Sequence, residues 1–366
     1  MQKKLAIVTI EDNLNYGNRL QNYAIQQLFA QYGFSVDTLG RQFRYVAPGK
    51  ISLCKQKLKS VAVPILAVLH IGGNLMSRRA CFFRFNRHIR QSRWKLNSQT
   101  DYHKLMEDYD VFVAGSDQIW NPNLYPTHMD VNMLAFAPAS KKIAVAPSVA
   151  CDFLTPEQQD AFARNLSDFR YLSCREQRGS ELIEKATGRH CETLIDPTLM
   201  ISVAEWNRLA EKPGFHREGQ PYILTYFLGK SAKYDRLIRE YADQEGLRVI
   251  DLYNKNSKYY TCGPSEFLYL IRNCACMCTD SFHGSIFAYL YGRPLKIVTR
   301  VATGVNGSMQ SRLDNLVRTL QLEGVYMDES TEHLSFVTPN DQRDILAREQ
   351  ARFKAYLDKV LKEIQL

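Results

Sequence analysis

The run Thr279-Asp280-Ser281-Phe282-His283-Gly284 holds the residue types best suited to chemistry in this 366-residue chain. Cys278-Thr279 reads as a strand end, Asp280 and Ser281 are helix-capping types, and His283-Gly284 opens a helix. That helix runs from Gly284 to Tyr291 and is closed by Gly292 and Pro294. A helix start favours a phosphate, because its unpaired N–H groups and dipole face outward together. An imidazole there titrates near neutral pH and suits proton transfer. A lone histidine is more often structural, so the signal needs company. Arg293, Lys296, Arg300 and Arg312 follow as cations, and Arg312 begins a further amphipathic helix at Ser311-Arg312-Leu313-Asp314-Asn315-Leu316.

Three more polar loops stand at predicted strand ends. Asn13-Leu14-Asn15-Tyr16-Gly17-Asn18 lacks the glycine spacing of a dinucleotide site, and a structural turn is as good a reading as a cleft loop. In Gly115-Ser116-Asp117-Gln118-Ile119-Trp120-Asn121-Pro122, polar side chains accompany an apolar Trp120 face, a mixture that suits a sugar; a capped turn over a buried Trp is the alternative. Arg175, in Ser173-Cys174-Arg175-Glu176, has the fork to clamp an anion, or it forms a surface pair with Glu176.

The elements that carry these loops alternate between strand and helix. Leu5–Ile10, a helix from about Arg19 to Tyr32, and Phe34–Leu39 form a βαβ unit, which calls for a parallel sheet. Strands at Asp110–Gly115, Lys142–Ala146, Tyr171–Ser173 and Leu194–Ile195 follow, with helices at Glu157–Ser167 and Gln177–Thr187. After the breaker-rich stretch Glu211–Pro221 the alternation resumes. Its strands are Tyr222–Phe227, Leu247–Leu252, Ala275–Cys278 and Leu295–Thr299; its helices include Lys233–Gln244 and Ser265–Asn273, the latter with Ser265 as cap. Ile345–Ile364 reads as a long final helix. This predicts an α/β protein of two doubly wound domains, 1–210 and 215–335, with a helix at 341–366 returning to the first. Ligands of such sheets bind beyond the carboxyl ends of the strands.

The chain is 45% apolar and 23% charged, which excludes a disordered polymer, and its length fits two domains of about 150–180 residues. Net charge is +9, which draws anions without choosing among them. Met1 to Ile10 reads as a first strand and not as a secretory leader, so a cytoplasmic protein with reduced thiols is expected. Cys274, Cys276 and Cys278 alternate along one strand face and read as buried small side chains; a metal cluster there lacks a second pair of ligands. The longest apolar run, Val61–Leu69, is too short to span a bilayer and contains Pro64. Arg78, Arg79, Arg84, Arg87, Arg90, Arg93 and Lys95, interleaved with Phe82, Phe83 and Phe85, read as a basic helix docked through its Phe residues, or as a peripheral membrane contact within residues 61–95.

Taken in order, the chain resembles the polysaccharide pyruvyl transferase family. The matching pieces are Asn15-Tyr16-Gly17-Asn18-Arg19-Leu20-Gln21-Asn22-Tyr23, Gly115 to Pro122, Ser173 to Glu176, Asp196-Pro197-Thr198-Leu199, Thr279 to Gly284, and Ser311-Arg312. The resemblance implies a GT-B-like pair of Rossmann-type domains and transfer of pyruvate from phosphoenolpyruvate (PEP) to two hydroxyls of one sugar, giving a ketal. The acceptor would be a surface glycan or its lipid-linked precursor. It implies His283 as acid and base, and Arg175, Ser281, Phe282, Gly284, Arg300 and Arg312 on the donor side. Asn15, Tyr16, Gly17, Asn18, Ser116, Asp117, Gln118, Trp120 and Asn121 would line the acceptor side. PEP is a co-substrate; no cofactor or metal is called for. Many members carry Arg two residues before the His, where this chain has Ser281. That leaves three options: Arg300 or Arg312 substitutes, the donor sits differently, or the donor is another molecule.

Two competing readings remain. A nucleotide-sugar glycosyltransferase on the same scaffold would need a ribose-binding carboxylate, for which Glu266 is the nearest residue, although it reads better as a first-turn helix acid. A nucleic-acid binder is prompted only by the net charge, and no recognised module supports it.

Overall fold

Along β1 (Lys4–Val8), Leu5 and Ile7 enter one apolar cluster while Ala6 and Val8 enter another, so this strand is buried on both faces. Burial on both faces is what a parallel sheet with helices on either side requires. The computed structural model describes residues 2–11, 14–41, 73–124, 126–229, 232–299, 310–339 and 343–364. Arg300, Asn13 and residues 61–72 of the proposed membrane segment lie outside that set.

In chain order β1 is followed by α1 (Tyr16–Gln31), β2 (Ser35–Arg41), α2 (Gly73–Phe85), β3 (Gln91–Leu96), α3 (Tyr102–Asp108), β4 (Val111–Ala114) and β5 (Lys142–Ala144). Then come α4 (Pro156–Leu166), β6 (Leu172–Cys174), α5 (Gln177–Thr187), β7 (Cys191–Thr193) and α6 (Val203–Leu209). The second half contains β8 (Tyr222–Tyr226), α7 (Ala232–Gln244), β9 (Arg248–Asp251), α8 (Pro264–Asn273), β10 (Cys276–Thr279) and α9 (Phe282–Leu290). It closes with β11 (Leu295–Val298), α10 (Gln310–Thr319), β12 (Tyr326–Met327) and α11 (Arg343–Glu363).

Two parallel five-stranded sheets result, ordered β3-β2-β1-β4-β5 and β12-β11-β10-β8-β9, with a small β6-β7 pair beside the first. This is the α/β pairing of two doubly wound sheets that the alternation predicts, and it fits the GT-B-like arrangement that the family resemblance implies. In each sheet the strand order reverses once, between β1 and β4 and between β8 and β10. Loops diverge at such a reversal and leave a crevice at the carboxyl ends of the strands.

Several local expectations shift. Helix α1 starts at Tyr16 and not Arg19, because the Asn15 side chain caps it by accepting from the Asn18 N–H at 3.2 Å. The strand expected at Leu194–Ile195 ends at Thr193. Helix α8 is capped at Gly263, whose N–H donates to Glu266 Oε2 at 3.0 Å, and not at Ser265. The basic ladder is no continuous helix: α2 ends at Phe85 and Gln91–Leu96 forms the edge strand β3, with alternating burial. There Arg90 pairs with Asp37 at 3.1 Å and Arg93 with Asp108 at 2.7 Å. Helix α11 packs against the first half through buried Phe353 and Leu357, with Tyr356 Oη donating to the Ala144 carbonyl at 2.8 Å.

The apolar cluster on the α1 side of β1 continues into the second sheet, joining Leu20 and Tyr23 to Leu224, Phe267 and Phe287. Tyr16 pins the junction. Its ring stacks on Phe267 at 4.3 Å and on Phe82 at 5.2 Å, and its hydroxyl donates to the Cys262 carbonyl at 2.9 Å. Arg78, almost wholly buried, donates to Tyr16 Oη at 2.7 Å and to the Tyr260 carbonyl at 2.9 Å, while lying over the Tyr16, Phe82 and Tyr260 rings. This arginine therefore joins the halves and does not face a membrane. Arg78→Ala, which strands these oxygens and empties the ring cage, is expected to cost roughly 2–4 kcal/mol in urea denaturation. An unchanged midpoint would contradict the role.

Candidate active site

The two strand-order reversals meet at one cavity of about 150 Å³. Asn15, Asp117 and Gln118 reach it from beyond β1 and β4. From the second sheet come Tyr226 at the end of β8, Leu228 beyond it, and Asp280, Ser281, Phe282 and His283 after β10; Gln310, Arg312 and Leu313 of α10 close it. Tyr226, Leu228, Gln310 and Leu313 were not expected at the site from sequence, and Asp280 was read there only as a helix-capping type. The strand-end rule pointed toward Tyr226, Leu228 and Asp280, since β8 ends at Tyr226 and β10 at Thr279.

Asp280 braces this floor. Its two carboxylate oxygens accept the backbone N–H groups of Leu228 and Gly229, each at 2.8 Å, which ties the β8 and β10 loops together. Ser281 caps α9, accepting from the Gly284 N–H at 3.3 Å. Gly284 does not line the cavity; it lets α9 start close against β10, where a Cβ would come within 2.9 Å of Thr279 Oγ1. Phe282 offers its ring to two guanidiniums, with Arg175 4.4 Å and Arg312 5.8 Å from the ring centre.

His283 is nearly buried at the junction. Its Nε2 lies 3.5 Å from Asp196 Oδ2, a long contact between the loop after β7 and the start of α9. Its Nδ1 faces Gly17 on α1, where a built Cβ would stand only 1.9 Å away. The absence of a side chain at position 17 is what allows α1 and the imidazole to share this space.

Arg175 differs from the expected anion clamp. It is wholly buried, donating from Nη1 to Asp196 Oδ2 at 2.6 Å and from Nη2 to Asp117 Oδ1 at 3.4 Å. With two carboxylates on it, Arg175 fixes the loops after β4 and β7. Asp117 in turn has φ 64° and ψ −172°, a region nearly reserved for glycine, at a cost of order 1–3 kcal/mol. Surrounding bonds hold it there: its carbonyl accepts from Ser148 N and Ile119 N, both at 2.7 Å, and Asn18 Nδ2 donates to its Oδ2 at 3.3 Å. Gly115, at φ 128°, is equally constrained, since a Cβ would lie 2.2 Å from the Val145 carbonyl oxygen.

The remaining acceptor-side residues support the cavity from behind. Tyr16 pins the junction between the two sheets, as described above. Ser116 is buried and donates to the Ala146 carbonyl at 2.8 Å. Trp120 is buried with Nε1 on the Asn132 carbonyl at 3.1 Å, which selects the capped turn over a sugar platform. Asn121 holds Gln118 Oε1 at 3.1 Å. Glu266 is engaged by its own helix start and by Arg84, so the carboxylate a ribose would need is taken. Cys276 and Cys278 pack beneath α7 with Ile238 and Ala242. Among the described residues, no group of three or more His, Cys, Asp or Glu is arranged to hold a metal, and no helix is long and apolar enough to cross a membrane.

The carboxylates set an acid limit to stability. Burial would raise Asp196, but His283, Arg175 and Thr198 hold it far below the usual carboxylate range. Asp117 is likewise lowered: burial opposes ionisation, while Arg175, His283 and Arg312 favour it. For carboxyls lowered on folding, the stabilisation is fully present above the unfolded value near 3.9 and is lost as pH falls toward the folded one. Urea unfolding free energy is therefore expected to fall steadily below about pH 4, and less steeply in Asp117→Asn. Identical acid slopes would rule this out.

A sequence profile of the family described as polysaccharide pyruvyl transferase matches residues 15–295. No curated protein matches the sequence at a significant level. Among solved structures, the chain is similar to UDP-GlcNAc 2-epimerase from Neisseria meningitidis bound to UDP-GlcNAc, at 9% identity and a TM-score of 0.47, over 100% of this chain and 94% of that one. It is also similar to the glycosyltransferase SnogD from Streptomyces nogalater, at 11% identity and a TM-score of 0.39, over 97% and 95% of the two chains.

Proposed function

Because this chain belongs to the polysaccharide pyruvyl transferase family, we propose that it moves the pyruvyl unit of phosphoenolpyruvate onto two hydroxyls of one sugar, in a surface glycan or its lipid-linked precursor. The observation that carries this reading is the meeting of His283 and Arg312, from the second domain, with Asn15, Asp117 and Gln118, from the first, around one cavity. One side offers a proton-transfer group and a cation, the other a polar rim suited to hydroxyls.

The reaction balances without an added reagent. The PEP methylene carbon gains a proton and the first sugar hydroxyl adds to the adjacent carbon, losing its proton. Phosphate departs, the second hydroxyl closes the ring, and its proton leaves with phosphate. His283 supplies the first proton and recovers one from a hydroxyl. Arg312 balances the charge on the donor as phosphate leaves. Since Ser281 is occupied as a helix cap and Arg312 lines the cavity, we assign to Arg312 the role of the arginine that many family members carry two residues before the histidine. Arg312→Ala is then expected to raise the KM for PEP by roughly tenfold or more. An unchanged KM would remove Arg312 from the donor side.

The decisive assay is release of inorganic phosphate from PEP that depends on a glycan acceptor. No turnover across a broad acceptor panel, together with no PEP binding by calorimetry, sinks the reading. For a lipid-linked acceptor, the membrane side is α2, where Leu75 and Phe83 are exposed at helical spacing around Arg79. Co-sedimentation with anionic but not neutral vesicles tests this, and equal recovery in the supernatant from both discards it.

A further inference from the structure

The chemistry proposed for the site leaves Asp196 without a role: it is a wholly buried carboxylate after β7, facing the imidazole on α9. We propose that Asp196 is the positioning residue of His283, holding the proton of the neutral ring on Nε2 and leaving Nδ1 to exchange protons with substrate. This rests on His283 being the acid and base of the proposed transfer.

The bonds around Asp196 divide its two oxygens. Oδ1 accepts from the Thr198 N–H at 2.9 Å and from Thr198 Oγ1 at 2.6 Å. Oδ2 accepts from Arg175 Nη1 at 2.6 Å, and its remaining direction faces His283 Nε2 at 3.5 Å. An ionised carboxylate only accepts hydrogen bonds, so the facing nitrogen is the one that gains by carrying a proton. The 3.5 Å separation is loose, as catalytic contacts often are before substrate tightens them. Nδ1 is bordered by Gly17, where a built Cβ would stand 1.9 Å away, and the ring lines the cavity. It is the nitrogen left to accept from a hydroxyl or donate to a carbon.

Thr198 and Arg175 orient the carboxylate before His283 arrives. The pairing joins the two halves of the chain, because Asp196 follows β7 while His283 sits on α9.

The test uses the full chain labelled with nitrogen-15 histidine, the His283 signals being assigned by their loss in His283→Gln. Neutral His283 is expected to show the pattern of a ring protonated at Nε2. In Asp196→Asn the ring should become a mixture of tautomers or shift to Nδ1, and kcat should fall by roughly 10²–10⁴-fold. KM for PEP should stay within about threefold, since the positioning acts on proton transfer and not on ground-state binding. A parent protein with His283 protonated at Nδ1 overturns the proposal even if Asp196→Asn fails to fold. So does an Asp196→Asn protein whose His283 spectrum is unchanged. If the pairing is seen but His283→Gln keeps full turnover, the acid–base reading fails and with it the role of Asp196 in catalysis.

Discussion

His283→Ala is expected to lower turnover by roughly 10²–10⁴-fold while the protein stays folded. The ring makes few bonds that the fold depends on: its Nε2 contact to Asp196 is 3.5 Å, and its edge-on packing is with the neighbouring Phe282. Removing it leaves Asp196 still bonded to Arg175 and Thr198, so no buried carboxylate is stranded. Arg175→Ala contrasts with this. From its position in the sequence, it would chiefly weaken donor binding. In the structure it uncovers Asp117 and Asp196 together, and loss of the shared partner of a buried ionic cluster costs roughly 3–5 kcal/mol. Turnover and thermal melting of the two variants, measured side by side, separate chemistry from scaffold. Near-full activity of His283→Ala would end the assignment of the acid and base, and an undiminished melting temperature for Arg175→Ala would return that residue to the donor side.

Gly17→Ala is expected to reduce kcat/KM by roughly 100-fold, although alanine is the better helix former by about 0.5–1 kcal/mol. Gly17 lies in the first turn of α1, so propensity alone predicts a gain. The added methyl would stand 1.9 Å from His283 Nδ1 and 2.4 Å from Cγ, far inside contact distance. Either the imidazole rotates off Asp196 or α1 moves away from α9, and both misplace the acid–base group. Coupling decides between this and a general defect. In the double variant with His283→Ala the steric conflict is gone, so the stability lost in Gly17→Ala should return, a non-additivity expected of residues in contact. A fully active Gly17→Ala enzyme would show that the junction is looser than its geometry indicates.

The alternation of strand and helix was legible in the residue pattern because hydrophobic periodicity and breakers act locally. The same holds for the polar loops at strand ends, and for Ser281 as the cap of α9. The ordered loop motifs also sufficed to identify the family. Less legible were segments whose partners are remote. Gln91–Leu96 looked like part of a basic helix because Arg93 and Lys95 continue the ladder of cations from Arg78, yet pairing with β2 makes it a strand. Tyr16 and Trp120 looked like cleft residues because they sit in polar loops, yet each finds a carbonyl and aromatic neighbours inside.

By itself, then, the sequence determined that two doubly wound sheets would form and which loops would stand at their carboxyl ends. Whether a given loop side chain faces the cavity or the core was decided only in the folded molecule. Arg175 meets Asp117 from 58 positions away, and α1 meets His283 of α9 from the other end of the sequence. A strand end fixes where a loop emerges, but burial and charge compensation by distant partners fix where its side chains point. That is why Arg175, read as a clamp, became a brace, and why Asp196 and Gly17 emerged as the residues that hold the histidine.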